Sequence, residues 1–165
     1  MTADSVSTAG RPRVVRLALR ARVLAAIRGG LSALGGVAAV LVGAQAETAL
    51  LGWAVGATLV SIILAGDRRG RLTMDPQPLP GEAIPERWAE IARTDVFPST
   101  VGVAVLTVVA LAFDAALAGM MAGILGGMAL MTIVSGALVA VAERRFGGAL
   151  YLERASRRLY IRTHR

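Results

Sequence analysis

The sequence contains no cysteine, no lysine and only one histidine, and each absence excludes a class of chemistry. Without cysteine the chain has no disulfide, no thiolate nucleophile and no cysteine-based metal site. Because the single histidine, His164, is the penultimate residue, a histidine-based metal cluster or proton relay is not expected. The sequence also lacks a phosphate-binding P-loop, a GxSxG nucleophile elbow and an HExxH zinc motif. We therefore expect a protein that is not an enzyme and that holds no cofactor and no metal.

Basic residues are missing from two long apolar stretches, 29–66 and 98–142, although the chain has 18 arginines elsewhere. A single bilayer crossing takes about 20 residues, so each stretch is long enough for two crossings. The sequence therefore predicts an all-α integral membrane protein with four transmembrane helices arranged as two tandem helical hairpins. The predicted helices cover residues 24–46, 48–66, 98–113 and 115–142.

The position of the arginines predicts the orientation. If each apolar stretch is a hairpin, every arginine lies on one side of the membrane, and the positive-inside rule places that side in the cytoplasm together with both termini. The absence of lysine beside abundant alanine, glycine and arginine is typical of a GC-rich genome, which indicates a bacterial cytoplasmic membrane. The run at 44–46 resembles a signal-peptide cleavage site. Because a second apolar run follows Glu47 at once, we expect the first helix to remain uncleaved.

Three polar segments flank the predicted hairpins. They are a basic N-terminal segment at 1–23, a proline-rich loop at 67–97 with a short amphipathic helix at 86–94, and a basic tail at 143–165. A helix over 12–27 would place Arg13, Arg16 and Arg20 on one face, as in a helix on an anionic membrane surface. A solvated extension of the first transmembrane helix explains the same spacing.

The tail contains two similar segments, 150–154 and 158–162, which are rich in strand-favouring residues. They are separated by three residues, so a small cytoplasmic β-hairpin is one prediction. The turn lacks the Asn-Gly or Asp-Gly sequence of tight hairpins. A basic helix continuing from the fourth transmembrane helix is the alternative.

The net charge of +7 flanks apolar segments, so the expected partner is the anionic phospholipid headgroup of the bilayer and not nucleic acid. Long arginine side chains and tryptophan are suited to the headgroup layer. The residues predicted to contact headgroups are Arg13, Arg16, Arg20, Arg28, Trp88, Arg144 and Arg145.

The two hairpins resemble each other, which suggests an internal duplication. A shift of 67 residues aligns Glu47 with Asp114 and the small-residue pattern after each of them. Both hairpins also end in an acid-Arg-Arg sequence, at 67–69 and 143–145. This alignment predicts that Glu47 and Asp114 cap helices at the two hairpin apices. If Asp114 lay inside a span instead, it would indicate a proton or ion pathway.

Glycines at four-residue spacing occupy corresponding positions in the second and fourth helices. Such spacing places small residues on one face and allows helix backbones to approach closely in lipid. The predicted packing glycines are Gly52, Gly56, Gly119, Gly123 and Gly127.

Together these features predict a non-catalytic accessory or scaffold subunit that contacts anionic lipid and either another membrane protein or a second copy of itself. The alternative is a small transporter or an oligomeric channel component built from duplicated hairpins. A transporter requires polar groups at the middle of the membrane, and the apolar stretches contain few.

Overall fold

The structure is a computed structural model that describes residues 12–43, 45–67, 76–96 and 99–163. It is mostly helical and contains one small sheet. The helices are α1 (Leu17–Leu41), α2 (Ala46–Asp67), α3 (Trp88–Val96), α4 (Ser99–Phe113) and α5 (Ala115–Phe146). The strands are β1 (Arg13–Arg16), β2 (Gln77–Pro78), β3 (Ile84–Pro85), β4 (Gly148–Glu153) and β5 (Leu159–Thr163).

Two helices, α1 and α5, are long and apolar enough to cross a bilayer. The helices α3 and α4 pass the same test only as a pair that is bent by 61°. In α2 the described apolar stretch is Leu50–Ile62, which is shorter than one crossing. The described residues therefore contain two candidate spans, or three if the bent pair is one span. Helix α3 carries Glu90, Arg93 and Asp95 within nine residues, and this density of charge is costly in the hydrocarbon core, so α3 is expected outside the membrane-spanning segments.

The start of the chain corrects the prediction of a helix over 12–27. Arg13–Arg16 is strand β1, and α1 begins only at Leu17. Arg13 and Arg16 therefore do not share a helix face with Arg20. Val14 and Val15 point to opposite faces of β1 and are both fully buried. β-branched side chains pack well in a strand that is covered on both faces, which favours the strand here.

A five-stranded sheet lies where α1 begins and α5 ends, in the order β2-β5-β4-β1-β3. Its centre is the antiparallel hairpin of β4 and β5, which pairs Leu150 with Ile161 and Tyr151 with Tyr160. The predicted C-terminal hairpin is thus confirmed, and the basic-helix alternative is wrong. Arg157 in the turn adopts the left-handed conformation at φ 56°, in place of the glycine that tight hairpins favour. The fold is consequently mostly helical and not all-α.

Helix α5 is the centre of the bundle and packs against α1, α2 and α4. Small residues form these contacts, so the helices lie close together. A β-carbon added at Gly35 of α1 would lie 3.0 Å from Thr107 and 3.1 Å from Ala122, and one at Gly136 would lie 3.1 Å from Ala21. Large apolar side chains instead point outward, including Leu34, Leu41, Leu51, Val108, Phe113 and Ile133. Small residues inside and large apolar residues outside are the arrangement of helices packed within lipid.

Candidate functional site

The two predicted packing glycines of α2 lie in its contact with α5. A β-carbon added at Gly52 would lie 3.1 Å from Met120 N and 3.2 Å from Ala116 O. A β-carbon at Gly56 would lie against Met120 O and 2.9 Å from Ile124 N. Because these atoms belong to the α5 backbone, which cannot rotate aside, the contact requires glycine at Gly56.

The glycines of α5 meet α2 from the other side. A β-carbon at Gly123 would lie against Trp53 O and 2.5 Å from Trp53 Cα. One at Gly127 would lie 2.6 Å from Ala57 O. Gly119 is buried on the same helix. The four-residue spacing of Gly123 and Gly127 therefore corresponds to a backbone-to-backbone contact with α2.

Trp53 and Ser32 connect α1, α2 and α5 through a polar link that the sequence did not reveal. The Trp53 indole N–H donates to Ser32 Oγ at 2.9 Å, and the buried Ser32 hydroxyl donates to Ala122 O at 2.7 Å. The indole ring packs over Gly126, where a β-carbon would lie 2.6 Å from the ring. These two hydrogen bonds link α2 to α1 and α1 to α5.

The two predicted apex carboxylates have different places. Asp114 is the N-cap of α5 and accepts hydrogen bonds from Ala116 N at 2.7 Å and Leu117 N at 3.2 Å. Glu47 is the second residue of α2, which begins at Ala46, so Glu47 is not the N-cap. Its carboxylate lies in the first helical turn, where negative charge is favourable.

Arg28 contacts other helices of the bundle. Its Nε donates to Thr100 Oγ1 and its Nη1 to Thr132 Oγ1, both at 3.0 Å. Thr100 is fully buried, and the Thr132 hydroxyl also donates to Met128 O. These contacts join α1, α4 and α5, whereas the sequence predicted that Arg28 reaches a lipid headgroup.

Four charged side chains form an ion-pair cluster beside the sheet: Arg20, Glu86, Asp95 and Arg154. Arg20 donates two hydrogen bonds to the Asp95 carboxylate, each at 3.0 Å. Arg154 donates two more to the same carboxylate at 2.8 Å. Its Nε also donates to Glu86 at 2.9 and 3.0 Å. The cluster therefore joins α1, α3, the residue after β3 and the turn after β4.

The two carboxylates of the ion-pair cluster are largely buried. The carboxylates of Asp95 and Glu86 are 8% and 7% exposed, while the two arginine side chains are 30% and 27% exposed. Burial opposes ionisation of Asp95, but Arg154 and Arg20 outweigh it and lower the pKa of this carboxyl. The hydrogen bond to Asp95 raises the pKa of Arg154 against the effect of burial, and Glu86 raises it further. The two guanidiniums thus hold the Asp95 carboxyl in its ionised form.

A groove opens between β1 and the end of α5. Its volume is about 270 Å³, and it is lined by Arg16, Ala140, Glu143, Arg144, Gly147, Gly148 and Ala149. Arg16 and Arg144 come from opposite ends of the chain and both are exposed. Glu143 Oε1 accepts from Leu150 N at 3.0 Å, which ties this carboxylate to β4.

The other residues that were predicted to contact headgroups are dispersed over the end of the bundle that carries the sheet. Arg13 is exposed at the start of β1, and Trp88 is 67% exposed at the start of α3. The Arg145 guanidinium lies 6.0 Å from the ring centre of Phe146. Arg20 differs from these residues because it belongs to the ion-pair cluster. Among the residues that the structure describes, no group of three acidic or histidine side chains could hold a metal ion.

Asp95, Glu86 and Arg154 do not stand out in the sequence as site residues. The sequence does contain a hint of the cluster, because Asp95 and Glu86 are acids in the loop 67–97 and the N-terminal segment and the tail are rich in arginine. The sequence could not show which arginines they meet. Compared with known proteins, the chain matches no protein-family model, no curated protein and no solved structure.

Proposed function

We propose that the chain is a four-span protein of the bacterial cytoplasmic membrane, with both termini and the sheet in the cytoplasm. In this proposal it acts as a non-catalytic accessory or scaffold subunit for a larger membrane protein. The observation that carries the proposal is that distant parts of the chain supply the strands of one sheet. Its strands come from three segments that are separated along the chain by α1 with α2 and by α4 with α5.

The pairing of strands that lie before and after the helices supports four crossings of the membrane. Strands that hydrogen-bond to each other lie on one side of a membrane, so the chain crosses an even number of times between β1 and β2 and between β3 and β4. α1 and α5 are each long enough to cross. The proposal therefore requires return crossings by α2 and α4, although the apolar stretch Leu50–Ile62 of α2 and the 15 residues of α4 are each shorter than a typical span. The clustering of arginine in and around the sheet then favours the cytoplasm.

Reporter fusions test this topology. A reporter that is active only in the periplasm is expected to be inactive after Gly70 or Arg165, because both positions lie on the cytoplasmic side. Inserted after Gln45 or after Asp114, the same reporter is expected to be active. Activity after Gly70 would contradict the return crossing by α2.

The scaffold role is supported by a rigid bundle that carries a fixed cytoplasmic platform. The glycine contact between α2 and α5 brings the helix backbones together, and the ion-pair cluster attaches the sheet to α1 and α3. Outward-facing apolar residues leave a wide surface for lipid and for a partner's transmembrane helices. A rigid platform beside such a surface can hold a partner in one orientation.

Co-purification in mild detergent tests the scaffold role. The tagged wild-type chain is expected to retain a larger membrane protein in fixed stoichiometry. Asp95→Asn is expected to lose much of that partner because it loosens the platform. Glu82→Gln is the matched control, since Glu82 lies exposed in a turn, and it is expected to behave as wild type. A lone homo-oligomer with a hydrated central cavity would instead support a channel.

One contact favours the competing function of a small transporter or channel component. The hydrogen bonds of Arg28 to Thr100 and Thr132 place polar groups between three helices, and transport sites are built from such groups. Solute flux in proteoliposomes that disappears in Arg28→Gln, with the fold retained, would place transport ahead of scaffolding.

A further inference from the structure

We propose that the groove between β1 and α5 binds the phosphate of an anionic lipid headgroup, with an acyl chain lying along the adjacent face of α5. The proposal deepens the membrane placement proposed above and rests on it. It assigns a specific lipid site to two arginines, in place of a general attraction between a basic protein and an anionic surface.

The groove has the chemistry of a phosphodiester site. Arg16 and Arg144 supply two guanidiniums, which are well suited to phosphate oxygens because their N–H groups form a planar fork. Within the described ranges neither of these side chains forms an ion pair, in contrast to Arg20 and Arg154. The Glu143 carboxylate lines the groove too, and its hydrogen bond to Leu150 N holds it at the β4 backbone.

The space in the groove follows from the fold. Gly147 ends α5 in the left-handed conformation at φ 69°, where other residues are strained. Gly148 begins β4, and a β-carbon there would lie 2.6 Å from Arg162 O. Both positions therefore favour glycine for structural reasons, and the groove that they line has a volume of about 270 Å³. That volume is sufficient for a phosphate with part of a headgroup.

The length of α5 places the groove at headgroup depth. A helix of 32 residues is about 48 Å long, and a bilayer with its headgroups is about 40–45 Å thick. When the Asp114 cap lies in one headgroup layer, Arg144 in the last turn lies in the opposite one. An inorganic phosphate from the cytoplasm has the same chemistry, but this depth favours the lipid.

An apolar stripe on α5 approaches the edge of the groove at Arg144. Val134, Leu138 and Val141 follow one another at i, i+4 and i+7, so they lie on one helix face. Their exposed fractions are 41%, 44% and 62%. Arg144 comes three residues after Val141 and lies about 60° further around the helix, so it flanks the stripe where the groove begins. An acyl chain along the stripe would therefore have its phosphate beside the Arg144 guanidinium.

Lipid retention by the purified full-length chain tests the site. Native mass spectrometry would compare long-chain phosphatidylglycerol with phosphatidylcholine of the same chain length. We expect the wild type to retain phosphatidylglycerol preferentially and Arg16→Gln/Arg144→Gln to lose at least about tenfold in that retention. Arg93→Gln/Arg158→Gln removes the same charge from exposed positions and is expected to retain lipid as the wild type does. Equal loss in both double variants would overturn the site in favour of diffuse attraction.

Two further measurements keep the test decisive. Arg16→Lys/Arg144→Lys preserves the charge and is expected to restore most of the phosphatidylglycerol retention. It serves as the comparison if Arg16→Gln/Arg144→Gln folds poorly. A photoactivatable phosphatidylglycerol added to the wild type is expected to crosslink to residues 134–148. Crosslinks confined to other helices would overturn the proposal. Protection of the wild type against heat by inorganic phosphate alone, at the lipid concentration, would overturn the lipid as the ligand.

The outcomes separate this inference from the proposed function. Reporter fusions report the topology whether or not lipid binds in the groove. Normal topology with no preference for phosphatidylglycerol would overturn the lipid site alone. Active periplasmic reporters after Gly70 or Arg165 would overturn the membrane placement on which the site rests.

Discussion

Asp95→Asn is expected to lower the free energy of opening of the sheet by about 3 kcal/mol. The substitution leaves Arg20 and Arg154 beside a neutral amide, so two partly buried guanidiniums lose the carboxylate that compensates them. Glu86 still pairs with Arg154, but Arg20 has no second carboxylate in the cluster. Hydrogen exchange of the β4 and β5 amides in detergent measures this free energy, because those strands exchange only when the sheet opens.

The control for this prediction is Glu82→Gln, which removes one negative charge from an exposed turn. It is expected to change the opening free energy by less than about 0.5 kcal/mol. A double-mutant cycle between Asp95→Ala and Arg154→Ala would then isolate the pairwise coupling. Equal exchange rates in wild type and Asp95→Asn would mean that strand pairing alone holds the sheet to the bundle.

The same geometry fixes the pH dependence of this contribution. The pKa of Asp95 is lower in the folded protein than in the unfolded chain. A carboxyl group of this kind stabilises the folded state above its unfolded pKa of about 3.9, and the contribution is lost as the pH falls through the folded pKa. The contribution of Asp95 to stability is therefore constant across the physiological pH range.

The parts of the structure that the sequence predicts are those that depend on local pattern. The apolar runs indicated the helices, and the four-residue glycine spacing indicated which helix faces pack closely, although not that α2 packs against α5. The strand-rich segments 150–154 and 158–162 indicated the C-terminal hairpin. In each case neighbours in the sequence determine the outcome, because helix faces and hairpins form between residues a few positions apart.

The parts that the sequence did not predict depend on distant residues. Strand β1 pairs with β4, which lies near the opposite end of the chain, so Val14 and Val15 alone gave no sign of their partners. Asp95 meets Arg20 and Arg154 across 75 and 59 residues of sequence. Arg28 meets Thr132 across 104. With 18 arginines and 11 acids in the chain, composition allows many pairings, and only the packing of the bundle selects among them.

Gly123→Ala is expected to destabilise the bundle by about 3 kcal/mol, the upper part of the range for overpacking in a tight contact. The added methyl group would lie against Trp53 O and 2.5 Å from Trp53 Cα, both of which belong to the α2 backbone. No side-chain rotation can relieve that clash, so α2 must move away from α5. The movement would also strain the hydrogen bond from Trp53 to Ser32. Thermal unfolding in detergent, followed by circular dichroism and tryptophan fluorescence, measures the loss.

Gly102→Ala is the matched control because it makes the same chemical change in another apolar helix. A β-carbon at Gly102 meets no atom within 4 Å, so the substitution removes backbone freedom without a clash. It is expected to stabilise the protein by about 0.5–1 kcal/mol, since alanine favours a helix more than glycine does. Opposite signs for two identical substitutions would show that the glycines of α5 are required by the contact with α2 and not by composition. If both variants were stabilised, the α2 backbone could not lie against Gly123. The rigid bundle on which the scaffold role depends would then lose its main support.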